Sequence, residues 1–431
     1  MKLRLEESEY EFISDDSSQC DSKTAFVLTK QNEKYLDHAR EMGCAKVIRI
    51  GEVAKFFGID RIKIIGITGT NGKTTTASAI YSMLLDLGYK VALQGTRGFF
   101  INDETIEAKS LTTPSVLNIY KHIYQALSQG CDFFVMEVSS HAIAQDRIEG
   151  LSFELKILTN ITQDHLDYHK TLSEYIATKN SFFADESKKL INRDETKASF
   201  NFKNAFGYGV ENAATYRLIA YSLNDASSGI VQYFGKSHSF VSSLHGFFNL
   251  YNILAAIGAV HLLTDRPLEE IMEVVENFAG VSGRMEVVSE DPLVIVDFAH
   301  TPDGIEKVLN ALREKELIVV FGAGGDRDRT KRPIMGRVAS AFAKKVIITS
   351  DNPRSEDPQV IVDEILEGIS EKSSVLVELD RKKAIAKALD LQKSGEVVVV
   401  LGKGDEEYQI VYDQLIPFDD REVIRDLLKR R

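Results

Sequence analysis

Short apolar runs alternate along most of this chain with stretches in which apolar positions recur every three or four residues. A short apolar run closed off by turn residues suits a strand buried on both faces, and the wider spacing suits an amphipathic helix. Their alternation predicts α/β architecture built on parallel sheets. Near the N-terminus the pattern predicts a strand around Ala25–Leu28, a helix around Lys34–Met42 and a strand around Ala45–Ile50, a small α/β unit. A second unit opens with a strand at Ile62–Ile67, a glycine loop and a helix to about Leu87, and continues with strands at Phe133–Val138 and Leu155–Leu158. Between Ala205 and Phe240, short alternating runs separated by Gly, Asn and Ser read as β-hairpins, and a helix follows near Asn249–Leu263. From about Gly283, strands at Leu293–Phe298, Leu317–Phe321, Lys345–Thr349, Val375–Glu378 and Glu396–Leu401 alternate with helices, the pattern of a doubly wound sheet. The expected organisation is therefore a small N-terminal α/β domain (1–58), a central P-loop domain with parallel sheet and β-hairpins (59–281) and a Rossmann-like C-terminal domain (282–431).

Bulk properties narrow the class. A chain of 431 residues is too long for one hydrophobic core. The net charge of −12 offers no basic footprint for nucleic acid. Cys20, Cys44 and Cys131 are scattered, with neither metal-site spacing nor a disulfide framework, as in a reducing compartment. The first residues lack the apolar core of a signal peptide, and no apolar run approaches the roughly 20 residues needed to span a bilayer. A monomeric cytoplasmic enzyme acting on small molecules is expected, without membrane or nucleic-acid partners.

The strongest local signal runs from Gly66 to Thr75, through Gly69, Thr70, Asn71, Gly72, Lys73 and Thr74. A strand, a glycine loop and a helix start together form a phosphate cradle, with backbone N–H groups and the helix dipole aimed at the anion. Lys73 is placed to reach terminal phosphates and the Thr74 hydroxyl to hold Mg²⁺, although five residues rather than four separate Gly66 from Gly72. A glycine turn with a chance Lys-Thr is the plainer reading; the flanking strand and helix speak against it. Glu137, at the end of an apolar run, stands where an acid for the metal belongs, and Asn160 and His165 follow the next strand in the same way. In the third unit four polar clusters fall at strand ends: Asp297–His300, Gly322–Asp328, Asp351–Arg354 and Gly402–Glu407.

Together these strings resemble the Mur ligases. Gly69–Thr74, Glu137–His141, Thr159-Asn160 and Asp164–His169 carry the resemblance, and Leu111–Pro114, Gly283–Glu286, Asp297–Pro302, Gly324–Asp328 and Gly402–Gly404 narrow it to the third ligase of the pathway. It runs in order from about residue 60 to the end, whereas in the first 50 residues only Asp16-Ser17-Ser18 matches, with Ser18 where the family has arginine. The resemblance implies ATP-dependent ligation of meso-2,6-diaminopimelate to UDP-N-acetylmuramoyl-L-alanyl-D-glutamate through an acyl phosphate, in peptidoglycan precursor synthesis. By the same resemblance Asn249, Arg284, Asp297 and Asp328 join Gly69–Thr75 at ATP, with Lys331 and Arg332 where a C-terminal domain closes over it. Ser17, Thr112, Thr113, Ser139, Gln145 and Arg147 hold the UDP-muramoyl-dipeptide. Arg327, Asp351, Asn352, Pro353, Arg354, Gly402 and Glu406 hold diaminopimelate, with Asp405 where the family has histidine. Lys73, Glu137, Asn160, His165 and Lys179 are the implied catalytic set. Lys179 is implied to be an N6-carboxylysine that binds Mg²⁺ with Thr74 and Glu137; a solvated helix lysine is the plainer reading of that position. For Arg354 the plainer reading is a surface pair with Glu356 or Asp357.

Three other functions compete. A lysine-adding ligase of the same family would lack Arg354, whose guanidinium can clamp the distal carboxylate that lysine does not have. A folylpolyglutamate synthase on the same scaffold is opposed by Thr74 and Thr75 after Lys73 and by Leu111–Pro114. A P-loop nucleotide switch has no use for a second α/β domain with four polar clusters at its strand ends.

Overall fold

The computed structural model describes residues 1–5, 9–108, 111–223 and 227–430. The chain forms three α/β units. The first is a four-stranded sheet in the order Lys2–Arg4, Phe12–Ser14, Thr24–Leu28, Lys46–Arg49, antiparallel at its first pair and parallel thereafter. Its closing helix, Ile50–Phe57, begins at the residue where the sequence suggested a strand would end. That helix buries Ile50, Val53 and Phe57, and the Phe57 ring meets Tyr120 and Tyr124 at 6.0 and 5.8 Å, so this unit shares a hydrophobic core with one face of the central sheet.

The central sheet has eleven strands, and Lys63–Thr68 lies inside it between Phe133–Glu137 and Phe153–Leu158, parallel to both. Burial on both faces explains the unbroken apolar runs there. Helices Lys73–Asp86 and Phe247–Leu263 cover one face in a common core. The hairpin expectation for 205–240 needs correcting at its start. Ala205–Gly209 extends the parallel sheet, pairing parallel with Lys189–Asn192 and with Tyr216–Ser222; only Tyr216–Ser222, Ser227–Tyr233 and Lys236–Ser242 form antiparallel hairpins. Residues 224–226 of that segment lie outside the described residues. The reason is the connection. The Asp194 carboxylate accepts the N–H groups of Val210, Glu211 and Asn212 at 2.7, 3.1 and 2.8 Å, which carries the chain across instead of reversing it.

The C-terminal sheet runs Glu286–Glu290, Leu293–Asp297, Glu396–Leu401, Glu316–Phe321, Lys345–Ile348, Val375–Val377, parallel except at its first pair. The strand order reverses beside Glu396–Leu401, and the polar clusters sit beyond the carboxyl ends, where such sheets bind ligands. A hairpin absent from the sequence reading, Tyr408–Val411 with Gln414–Pro417, bridges to Arg354. Among the described residues no helix is long and apolar enough to cross a membrane.

Candidate active site

The loop after Lys63–Thr68 enters helix Lys73–Asp86 through Gly72, which has a φ of 85° and no room for a Cβ against Asn252 Oδ1. A side chain at Gly69 would collide with Thr159 Oγ1. The two glycines let the backbone turn closely enough to aim its N–H groups outward. Asn160 secures the loop from behind: its Oδ1 accepts the Asn71 N–H at 2.9 Å and its Nδ2 donates to the Asn71 carbonyl at 2.9 Å. It thus holds the loop's backbone; it is outside the lining of the cleft that contains Lys73 and instead lines a second cleft with Asn71 and Gly72.

Thr74 Oγ1 donates to Glu137 Oε2 at 2.9 Å, and Thr96 N donates to Glu137 Oε1 at 2.9 Å. One hydroxyl and one carboxylate at a phosphate loop fit a magnesium ion, which takes few protein oxygens and completes its shell with water and substrate phosphates. Among the described residues no group of three or more His, Cys, Asp or Glu could hold a metal, so an all-protein cage is not part of this site.

Two lysines converge on one carbonyl. Lys73 Nζ and Lys179 Nζ each donate to Gly69 O at 2.9 Å, and Lys73 also reaches Thr70 O at 2.8 Å. Lys179 is 1% exposed, on helix Leu172–Ser181, which overturns the solvated-lysine reading. Burial, with the neighbouring Lys73 charge, pushes the Lys179 ammonium well below its ordinary range; burial also lowers Lys73. His165 stacks edge-on against His141 at 4.8 Å, and burial pushes its pKa down to about 3, so it is a neutral imidazole.

Beside it lies a group that sequence reasoning gave no role. Asp164 is buried and meets Lys331 Nζ at 3.4 Å, His165 Nε2 at 3.3 Å and His300 Nε2 at 3.9 Å. Burial opposes its charge, but the Lys331 ammonium, with the backbone N–H of His165, outweighs that and holds the carboxyl below its ordinary range. Lys331 belongs to the C-terminal unit, so this ion pair crosses the junction. Asn71 Nδ2 to Asp303 Oδ2 at 2.6 Å and Gln163 Nε2 to Thr330 Oγ1 at 3.2 Å cross it too. The C-terminal sheet edge therefore sits directly over the phosphate loop.

The two units enclose a cleft of about 360 Å³. Thr70–Thr75, Thr112, Glu137, His165, Asn249, Arg284 and Asp297 line it, together with Arg327, Asp351, Asn352, Arg354, Gly402 and Glu406. Arg284 stacks on the Phe298 ring at 4.0 Å, and Asp297 accepts the N–H groups of Met285 and Ala299, each at 2.7 Å. Burial raises the Asp297 carboxyl. Asn252 completes a polar face with Asn249, donating to its Oδ1 at 2.9 Å; the three-residue spacing on an apolar helix was the signal for it.

Other expected residues lie elsewhere. Asp328 accepts from Thr330 N at 2.9 Å and Gln163 Nε2 at 3.4 Å and is outside the cleft lining. Arg332 points away from the cleft: fully buried, it pairs with Glu356 at 2.8 Å and Glu364 at 2.6 Å and is a packing element of its own domain. That pairing also removes Glu356 from the surface pair considered for Arg354, whose Nη1 donates to Gly325 O at 2.7 Å. Pro353 shapes the turn, its carbonyl accepting Glu356 N at 3.0 Å.

Next to the cleft, Thr113 Oγ1 donates to Glu137 O at 2.9 Å and accepts Ser139 N at 2.9 Å; Arg147 Nη1 donates to Thr113 O at 2.7 Å and its Nε to Gln145 Oε1 at 2.9 Å. Thr112 shares a hydrogen bond with Thr96 at 3.0 Å. The N-terminal unit touches this cluster through Gln31 Nε2 to Gln145 Oε1 at 2.6 Å. Ser17 does not join it, its hydroxyl pairing instead with His38 Nδ1 at 2.9 Å.

A phosphate loop, the Thr74–Glu137 hydroxyl–carboxylate pair and a second α/β domain over both are parts that an ATP-dependent ligase needs. Residues 67–260 match the Mur ligase middle domain and residues 283–404 the Mur ligase glutamate ligase domain. The chain belongs to the Mur ligase family, whose members are ATP-dependent peptide ligases. It is 55% identical over 428 residues to UDP-N-acetylmuramoyl-L-alanyl-D-glutamate--2,6-diaminopimelate ligase of Wolinella succinogenes, covering 99% of this chain and 98% of that one. A solved structure of a ligase of the same name is 30% identical, with a TM-score of 0.68 over 97% of this chain and 94% of the other. Folylpolyglutamate synthase of Mycobacterium tuberculosis, solved with ADP and AMPPCP, shares the fold at 16% identity, with a TM-score of 0.66 over 81% of this chain and 91% of that one.

Proposed function

We propose that this chain joins meso-2,6-diaminopimelate to the glutamate carboxylate of UDP-N-acetylmuramoyl-L-alanyl-D-glutamate at the expense of ATP, working as a cytoplasmic monomer in peptidoglycan precursor synthesis. The observation that carries this is the single cleft in which the phosphate loop meets Arg327, Asp351, Asn352, Arg354 and Glu406. Residues 1–58 serve the UDP end with Ser17, residues 59–281 the nucleotide, and residues 282–431 the incoming amino acid.

A carboxylate is a poor electrophile. Its oxygen attacks the γ-phosphorus of ATP, ADP leaves, and the acyl phosphate carries a leaving group. The amine of diaminopimelate then attacks the acyl carbon, inorganic phosphate departs and the amine loses a proton. Positioning and charge neutralisation carry such transfers. Gly69–Thr75 cradle the phosphates with Lys73, while Asn249, Arg284 and Asp297 face the rest of the nucleotide. Thr74 and Glu137 would hold magnesium, which neutralises phosphate charge when bound. Thr112, Thr113, Ser139, Gln145 and Arg147 hold the muramoyl-dipeptide, with Arg147 as cationic partner for its carboxylates. Phosphate release measured with the UDP-muramoyl-dipeptide and a panel of amino acids tests this reading. Release should depend on diaminopimelate; release independent of any amino acid would make the chain a nucleotide hydrolase, and release with lysine alone would reassign the substrate.

Lys179 acts as a carbamate. Burial, with the Lys73 charge beside it, holds the Lys179 ammonium well below its ordinary range and so favours the amine form, whose attack on CO₂ with loss of a proton leaves an anion beside Lys73. A carbamate offers oxygens to magnesium, which an ammonium cannot. Lys179→Ala should cost about 10²-fold or more in kcat, as loss of a charge-stabilising group does. Formate or acetate should restore part of it. Near-normal turnover in Lys179→Ala would remove the lysine from the mechanism.

A further inference from the structure

Behind the amino-acid end of the cleft lies a lysine that no step above uses. Lys403 is 0% exposed and does not line the cleft, yet its ammonium has an acceptor for each of its three protons. They are Asn352 Oδ1 at 3.3 Å, Glu406 Oε2 at 2.9 Å and the Tyr408 carbonyl at 2.5 Å. An ammonium only donates, so the Asn352 atom facing it must be the oxygen. Ile410 N–H, another obligate donor, meets the same atom at 2.9 Å. The carboxamide is thereby oriented: its Nδ2 faces the other way and donates to Glu406 Oε2 at 2.9 Å. Glu406 Oε2 accepts twice, from Lys403 and Asn352, while Oε1 has no hydrogen-bond partner among the described residues. The second Nδ2 proton likewise has no acceptor among them.

We propose that Lys403 is a positioning residue that sets the hydrogen-bond polarity of the amino-acid pocket, turning Asn352 into a donor for a substrate carboxylate and leaving Glu406 Oε1 to accept from a substrate ammonium. This rests on the reading of the pocket as the amino-acid site. The arrangement sorts the pocket into a donating side, Arg327, Arg354 and Asn352 Nδ2, and an accepting side, Glu406 Oε1. A zwitterionic amino-acid head fits in one orientation only, since the reverse sets carboxylate against carboxylate. The hairpin Tyr408–Val411 with Gln414–Pro417 is part of the device, supplying both the Tyr408 carbonyl and the Ile410 N–H.

The test uses the full-length chain and steady-state constants for all three substrates in wild type, Lys403→Met and Asn352→Asp. Removing one partner of a buried, hydrogen-bonded charge pair should raise the KM for diaminopimelate at least about 30-fold in Lys403→Met, with the KM values for ATP and the UDP-muramoyl-dipeptide changed less than about 3-fold. A rise shared equally by all three substrates, or none, overturns the proposal. If Lys403→Met does not fold, the near-isosteric Asn352→Asp decides. It removes the donor, so the diaminopimelate KM should rise by about 10-fold or more. An unchanged or lower KM would mean that the carboxamide accepts from an ammonium, and the assigned polarity would be wrong. A wild type that makes no amide with diaminopimelate sinks the substrate reading itself, whereas an active wild type with unaffected variants sinks only the role of Lys403.

Discussion

Lys73→Ala should abolish ligation, lowering kcat by at least about 10³-fold, the scale on which removal of an electrostatic group at a developing charge is felt. The melting temperature should stay within a few degrees of wild type. Among the described residues the Lys73 amine bonds only to carbonyls of its own loop, Gly69 O and Thr70 O. Gly69 O also accepts from Lys179 at 2.9 Å, so that carbonyl keeps a donor when Lys73 is removed. With nucleotide bound, the Lys73 ammonium should exchange these carbonyls for phosphate oxygens, a stronger charge-assisted contact. Phosphate-release kinetics together with thermal unfolding check both halves. Normal turnover in Lys73→Ala would remove the phosphate-loop assignment; lost turnover with an equally lost fold would make the lysine structural.

Wild type should prefer diaminopimelate to lysine by roughly 10⁴–10⁵ in kcat/KM, because a pocket built for a polar group is left with unpaired buried groups when an analogue lacks it. We assign this preference to Arg354, which lines the cleft. Its backbone is held at a φ of 52° by Arg354 N donating to Ile410 O at 3.0 Å and Arg354 O accepting Tyr412 N at 2.7 Å, which fixes the base of the side chain. Burial lowers its guanidinium pKa somewhat, but an arginine stays charged throughout the working range. Arg354→Ala should lower kcat/KM for diaminopimelate by about 10²-fold or more, the cost of losing a charged partner for a desolvated carboxylate. It should not create lysine activity, because Arg327 and Glu406 still line the cleft. Specificity constants for both amino acids in the two proteins are the measurement. Equal use of lysine by wild type, or an undiminished preference in the variant, would reassign the substrate while leaving the ligase intact.

What could be read from the chain alone was whatever is encoded locally. The phosphate loop was legible because strand, glycines and helix start are contiguous, and the conformation of a loop with Gly69 and Gly72 follows from sterics near in sequence. The parallel strands were legible because burial on both faces demands unbroken apolar runs, as in Glu396–Leu401. Arg354 was visible as a residue type, and its place at a strand end followed from the α/β pattern. The closing hairpin at 408–417 was not, since one strand is half-buried throughout and the other exposed throughout, so neither shows an alternation of buried and exposed positions.

Tertiary structure alone decided which charges meet. Lys179 lies 110 residues from the carbonyl it binds, and Lys331 lies 167 residues from Asp164. By composition both would be surface lysines; burial holds the ammonium of the first well below its ordinary range and makes the second a bridge between domains. Arg332, expected where the C-terminal domain closes over ATP, forms a buried pair with Glu356 and Glu364. Asn352 carries the same side chain in any reading of the sequence. Which end of its amide faces the substrate depends on Lys403 and Ile410, 51 and 58 residues further along. The sequence determined which groups are present; a fold that sets obligate donors against one end of an amide determined which way that amide points.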